Sequence, residues 1–349
     1  MRALLTLLLV VVATTSCAVP GASPDDRAAV AAGRHFLAVY EDGDGRVVRR
    51  DQGGDTVSEG QGYAMLVALA LGDRGRFDRA WSWTWRHLRR PDGLLSFLWR
   101  DGAVVDATPA ADADLQVAWA LALAARRWHV VGYRTAARTL AVAIADHEIG
   151  YDDQGRPLLA AGPWGRAGPG KAVTVEPGYW TLAAMPVLAG VTADNRWRGL
   201  EAATRATLLG LAGRSGLLPP DWARVGGGSR AEPVRSPSGA AVACGLDGQR
   251  ALVWAATSRS GRSLAAAWWR RVRDGSATLS RGLDGTPRDV AVAPLGAVAA
   301  AAASGAAGDL AARDRLLALA TRVAQRYPTY YGSAWLALGR LLLTTSRLS

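Results

Sequence analysis

The chain has 349 residues, half of them apolar, with only two cysteines and a formal net charge of +11. That length can bury a sizeable core in one large domain or two small ones, and two cysteines exclude a disulfide framework. The positive charge is almost wholly arginine, Lys171 being the single lysine, yet the arginines lie interleaved with acids along helical patterns, as in GDRGRFDRAW. This is a solvated basic surface without a basic run or a recognised motif, so nucleic acid is not an expected partner.

At the N-terminus Arg2 precedes the apolar run Ala3 to Ala13, followed by Thr14, Thr15, Ser16 and Cys17. Residues 1–17 have the pattern of a secretory signal peptide, and the small residues before Cys17 resemble a bacterial lipobox. Two outcomes stay open: a lipidated Cys17 that anchors the protein to the outer face of the bacterial cytoplasmic membrane, or cleavage and secretion. A linker over residues 18–26 and a single domain over 27–349 are expected to follow. No stretch reaches the roughly 20 apolar residues of a membrane-spanning helix.

From Asp25 onward helical periodicity dominates. Helices are predicted over residues 25–40, 60–72, 76–88, 114–128, 133–149, 178–190, 196–213, 248–258, 262–274, 288–304, 309–327 and 330–343. They alternate between amphipathic and nearly all-apolar, and an all-apolar helix is an inner one. Twelve such helices in about six hairpins predict an all-α closed double ring of inner and outer helices. The connections Gly150 to Gly178 and Pro219 to Cys244 are long and rich in Gly, Pro, Asp and Trp, as functional loops are. The stretch LLSFLWR, Leu94 to Arg100, reads as a strand in such a loop.

Several chemistries are excluded by what is missing. GRAGPGKA, Gly165 to Ala172, lacks the Ser or Thr of a phosphate-binding loop at Ala172 and follows no apolar strand. The histidines His35, His87, His129 and His147 occur singly, with no zinc-ligand spacing and no cofactor implied. A G-x-S-x-G serine elbow is also absent. Trp81, Trp83 and Trp85 belong to an amphipathic helix rather than to a binding surface.

The remaining candidates are acids at the starts of apolar helices: Glu59 in SEGQGYAM, Asp112 and Asp114 in PAADADLQVAWALALAARRW, and Asp247 in CGLDGQRALVWAA. Taken singly, an acid in a first turn is more often a cap or a dipole partner. Aromatic residues gather near the same ends: Tyr63, Trp99, Tyr179, Trp180, Trp222, Tyr330 and Tyr331. Flat rings stack on sugar faces while paired carboxyls break glycosidic bonds, so a polysaccharide partner is expected.

The segments TVSEGQGYAMLVALAL and AADADLQVAWALALAARRW resemble the two best-known signatures of glycoside hydrolase family 8, the bacterial endoglucanases. Departures are Ala111, where the second signature has Ser or Thr, and Val117, where it has Ile or Met. Further echoes follow in family order: EPGYW, with Glu176 and Gly178 departing from Asn-Pro-Ser-Tyr; LPPDW; GLDGQR, with Leu246 in place of Tyr; and YYGSAW, with Gly332 in place of Asp. The resemblance implies an (α/α)6 barrel.

It also implies roles. Glu59 matches the proton donor, Asp112 the acid that holds the distorted sugar, Asp247 the general base, and Tyr179 the residue that positions the attacking water. Tyr63, Trp99, Asp114, Tyr179, Trp222, Arg250, Tyr330 and Tyr331 are the expected substrate-binding residues. The family inverts, so the acid and base carboxyls should lie roughly 6.5–9.5 Å apart. Gly60 and Gly62 would admit a sugar ring close to the backbone, and burial would keep Glu59 protonated near neutrality. Secreted, monomeric endo-hydrolysis of a β-1,4-glucan is the leading expectation. Xylan, chitosan or an exopolysaccharide are alternative substrates, chitosan being an awkward polycation for a basic protein. The departures at Glu176, Gly178, Leu246 and Gly332 motivate another class, a catalytically weak polysaccharide-binding envelope protein; retention of Glu59, Asp112 and Asp247 together favours activity.

Overall fold

The computed structural model describes residues 23–168, 171–226 and 230–348. These contain twelve α-helices: α1 Pro24–Tyr40, α2 Ser58–Leu71, α3 Arg74–His87, α4 Ala111–Trp128, α5 Val131–His147, α6 Ala184–Val191, α7 Arg196–Ala212, α8 Leu246–Ala256, α9 Arg262–Val272, α10 Pro294–Ala306, α11 Leu310–Arg326 and α12 Tyr330–Thr344. The even-numbered helices form the inner ring. In α2, α4 and α10 nearly every residue is buried, because small and apolar side chains occupy all sides. The odd-numbered helices bury a stripe: α3 turns Phe77, Ala80, Trp83 and Thr84 inward while Arg74, Arg79 and Arg86 face solvent.

Around the inner ring α2 packs on α4, α4 on α6, α8 on α10, α10 on α12, and α12 returns onto α2. A 3-10 turn, Pro177–Tyr179, packs against both α4 and α8 and completes the circle. Each inner helix also packs on an outer one, giving the (α/α)6 barrel. Three small antiparallel sheets belong to the long connections. They are β1 Thr56–Val57, β2 Leu98–Arg100 and β3 Ala103–Asp106; β4 Ile149–Tyr151 and β5 Pro157–Leu159; and β6 Val173–Val175, β7 Ala223–Gly226 and β8 Arg230–Pro233.

Most helices start within about three residues of the sequence expectation; α6 and α10 start later than that, and α1 takes in residues assigned to the linker, each for a local reason. Residues 24–26, assigned to the linker, form the first turn of α1: Ser23 Oγ accepts from Asp26 N at 3.0 Å and Pro24 sits where its missing N–H costs nothing. The tenth helix begins at Pro294 rather than Arg288, since Val292 is bridged to Thr278 and a residue before proline avoids helical geometry. The sixth begins at Ala184, because Gly178 is taken by the 3-10 turn. LLSFLWR supplies a strand only over its last three residues, β2. Trp83 is buried while Trp81 and Trp85 contact one another at 5.3 Å on the outer side, and Cys244 is fully buried. The leader, Cys17 and residues 18–22 of the linker lie outside the described residues.

Candidate active site

Glu59, Asp112, Asp247 and Tyr331 all stand in the first turns of inner helices, α2, α4, α8 and α12, so one end of the ring collects them. Arg250, one turn into α8, ties them together. Its Nη1 donates to Glu59 Oε2 at 2.9 Å, to Asp112 Oδ2 at 2.8 Å and to the Tyr63 hydroxyl at 3.2 Å; its Nη2 donates to Asp247 Oδ1 at 2.7 Å. The guanidinium is 1% exposed and Asp112 2%, against 19% for Glu59 and 39% for Asp247. A planar fork of donors is what lets one side chain serve three carboxyls from three helices.

Burial pushes the Glu59 carboxyl up to about 7; Arg250 opposes the rise and Asp112 and Asp247 reinforce it. Burial likewise raises Asp112, opposed chiefly by Arg250 and also by the Ala113 N–H that Oδ1 accepts at 2.8 Å. Glu59 is therefore no cap: its carboxyl turns to Arg250. The Tyr179 ring lies 5.1 Å from the Arg250 Cζ. Tyr331 is partly buried, its hydroxyl has no hydrogen-bond partner among the described residues, and it lies in the electrostatic field of Arg250, Glu59 and Asp247. Among the described residues no three His, Cys, Asp or Glu side chains converge as metal ligands, and a guanidinium already neutralises the acids.

Three of the expected substrate-binding residues are sealed beneath this floor. Tyr63 is fully buried edge-on to Trp335, 5.6 Å between centroids, and serves as a support for Arg250. Tyr330 is 1% exposed and packs its hydroxyl onto Gly60, where a Cβ would come within 2.5 Å. Gly60 thus makes room for Tyr330 and Gly62 for α4 at Gln116 and Val117, rather than for a sugar. Asp114 is fully buried, accepts from Leu95 N at 2.9 Å and neighbours the equally buried Glu148. Burial first, then repulsion from neighbouring carboxylates, Asp112 and Asp92 for Asp114 and Asp114 and Asp112 for Glu148, raises both carboxyls well above the usual range. Trp99 lies at the mouth on β2, half-buried, with Arg46 4.3 Å over its ring and Trp83 against it at 5.4 Å.

Over nearly its whole length the chain matches the sequence profile described as Glycosyl hydrolases family 8, residues 6–345. The chain belongs to this family. It is 29% identical over 235 residues to an endoglucanase of Cellulomonas uda, covering 66% of this chain and 63% of that protein. It spans no more than about two thirds of the length of the curated relatives it matches, 56% and 61% for the next two. Among solved structures, endo-beta-1,4-glucanase CMCax from Acetobacter xylinum superposes with a TM-score of 0.75 at 24% identity, covering 92% of this chain and 98% of that one. A beta-1,3-1,4-glucanase from Paenibacillus sp. X4 gives 0.79 at 18%, covering 91% of each. These two likenesses speak for the fold.

Two features of this family 8 chain escaped the sequence reading. Asp221, in LPPDW, accepts from the Gly245 and Gly248 amides at 2.8 and 2.7 Å and so caps α8 from another loop, fixing the helix that carries Asp247 and Arg250. Burial, with Asp247 nearby, pushes Asp221 up to about 6. The signal was the pair of glycines flanking Asp247, which leave α8 without a cap of its own. Trp164 is half exposed and stacks on Trp222, 5.8 Å between centroids at 38°, beside that cap. Gly178, a departure from the family pattern, lies so close to the Asp247 backbone that a Cβ would come within 2.0 Å of its carbonyl oxygen. Glu176 is 2% exposed, has an unpartnered Oε2, and is raised well above the usual range by burial and by Asp247.

Proposed function

We propose that this family 8 chain is a secreted or membrane-anchored, inverting endo-hydrolase of β-1,4-glucan. Glu59 is the general acid: raised to about 7, it holds a proton near neutrality and gives it to the glycosidic oxygen as the C–O bond breaks. Asp247, more exposed and bound to the far nitrogen of Arg250, is the general base; it takes a proton from the water whose oxygen attacks the anomeric carbon from the other face. Asp112 receives the sugar distorted at that carbon, and Tyr179 steadies the water. Each turnover consumes one water and leaves two chain ends.

The single observation that carries this reading is the bridging of Glu59, Asp112 and Asp247 by one buried arginine. The names of the relatives support glucan as the substrate class. The test is the viscosity of carboxymethylcellulose on adding the wild type or Glu59→Gln. A rapid fall given by the wild type alone is expected; comparable falls would remove Glu59 from the chemistry, and no fall with the wild type would remove glucan as the substrate.

A further inference from the structure

The opposite end of the barrel has a chemistry of its own. α4 begins at the acidic site and runs about 27 Å to Trp128, so its C-terminus lies on the far face. Three adjoining cavities there share Arg126. The largest, about 540 Å³, lies between the end of α4, the start of α5 and α6; its walls include Ala125, Val187 and Val191, and Arg126 and Arg134 stand at its edge. Arg127 and Arg347 line the third. Among the described residues not one Asp or Glu lines any of the three.

Elsewhere on this face acids are paired, Asp26 with Arg347 at 2.8 Å and Asp25 with Arg313 at 3.2 Å. Arg126, Arg127 and Arg134 are exposed, and none has an ion pair among the described residues. Val131, beside them, is 77% exposed. An apolar cavity with a cationic rim and no acid fits an amphiphile with an anionic head: phosphate oxygens suit the guanidinium fork, and acyl carbons suit the walls.

The chain enters the fold on the same face. α1 starts at Pro24 and its Asp26 is bound to Arg347, a residue of the third cavity. The apolar run Ala3 to Ala13 and Cys17 precede Ser23 in sequence, and the six residues from Cys17 to Ser23 can span at most about 20 Å. Any hold that segment has on a bilayer keeps this face near it and turns the acidic end outward.

We propose that this basic face docks on an anionic phospholipid bilayer, a phosphodiester head group lying between Arg126 and Arg134 and an acyl chain entering the cavity. The proposal is independent of the chemistry at the other end. It makes the barrel an oriented enzyme, its acidic mouth directed away from the membrane.

The test uses the full chain carrying Cys17→Ser, so that no lipid is attached, floated with phosphatidylcholine vesicles with and without phosphatidylglycerol. Three proteins are compared: the parent, Arg126→Glu/Arg134→Glu, and a control with the same charge change at the exposed arginines near the acidic end of α11, Arg322→Glu/Arg326→Glu. The phosphatidylglycerol-dependent partitioning should fall at least about tenfold in the first variant and much less in the control. Far-ultraviolet circular dichroism and thermal melting, unchanged in all three, show that each is folded. Equal partitioning of the three proteins, or an equal loss in both variants, overturns the proposal, the second outcome reducing it to net charge.

Discussion

Arg250 and Glu59, 191 positions apart in sequence, meet at 2.9 Å across the inner ring. The same guanidinium holds Asp112 and Asp247, so the balance of charge at the site depends on one residue that is 1% exposed. Replacing it by methionine would leave acids without their counter-ion and lower stability by about 3–5 kcal/mol. Because Arg250 opposes the rise in Glu59, its loss should also move the alkaline limb of kcat/KM upward in whatever activity remains. Chemical denaturation and a pH profile of Arg250→Met check both effects.

Glu59 must be protonated to act as an acid, and its carboxyl titrates at about 7. Activity should therefore be present below that value and decline as pH rises through it, giving the alkaline limb of a bell in kcat/KM. Glu59→Gln should lose roughly 10²–10⁴ of kcat while keeping its affinity for the polymer. Rates across pH, with polymer pull-down by the variant, check this.

The Asp114–Glu148 pair makes a separate prediction about stability. Both carboxyls are raised in the folded chain from ordinary values of 3.8 and 4.5, so the folded state binds more protons than the unfolded one as pH rises past them. Their contribution is complete below those values and is lost as pH rises toward the folded ones. Glu148→Gln keeps the shape, removes one ionisation and offers Asp114 a donor. Its Tm should exceed that of the wild type increasingly as pH rises from about 4, and melting curves over that range decide it.

Trp164 and Trp222 offer the only stacked tryptophan pair beside the Asp221 cap among the described residues. Trp164→Ala should raise KM for long oligosaccharides severalfold, by about 1 kcal/mol, with little change in kcat. Steady-state kinetics on oligosaccharides of increasing length would show the effect growing with length if the pair is a remote sugar platform.

Much of the fold was legible because periodicity reports which face of a helix is wet. The alternation of Ala-rich helices such as α10 with striped ones such as α3 carries the two rings directly. Helix starts were less legible, since at Pro24 and Pro294 they depend on capping and on bridges to distant residues. For the site, first-turn acids could be found from sequence, but not their depth. Asp112 and Asp114 are two residues apart in one signature, yet one meets Arg250 and the other Leu95 and Glu148. Tyr330 and Tyr331 divide in the same way, one under Gly60 and the other toward Arg250. Asp221 and Trp164 escaped because their partners, Gly245 and Trp222, come from other loops.

The most direct measurement of the central claim is the anomeric configuration of the first product. Proton NMR of a cello-oligosaccharide during early hydrolysis should show the α-anomer appearing before mutarotation, as attack by a water held at Asp247 opposite Glu59 requires. Initial release of the β-anomer would contradict that arrangement and with it the roles assigned to the two carboxyls.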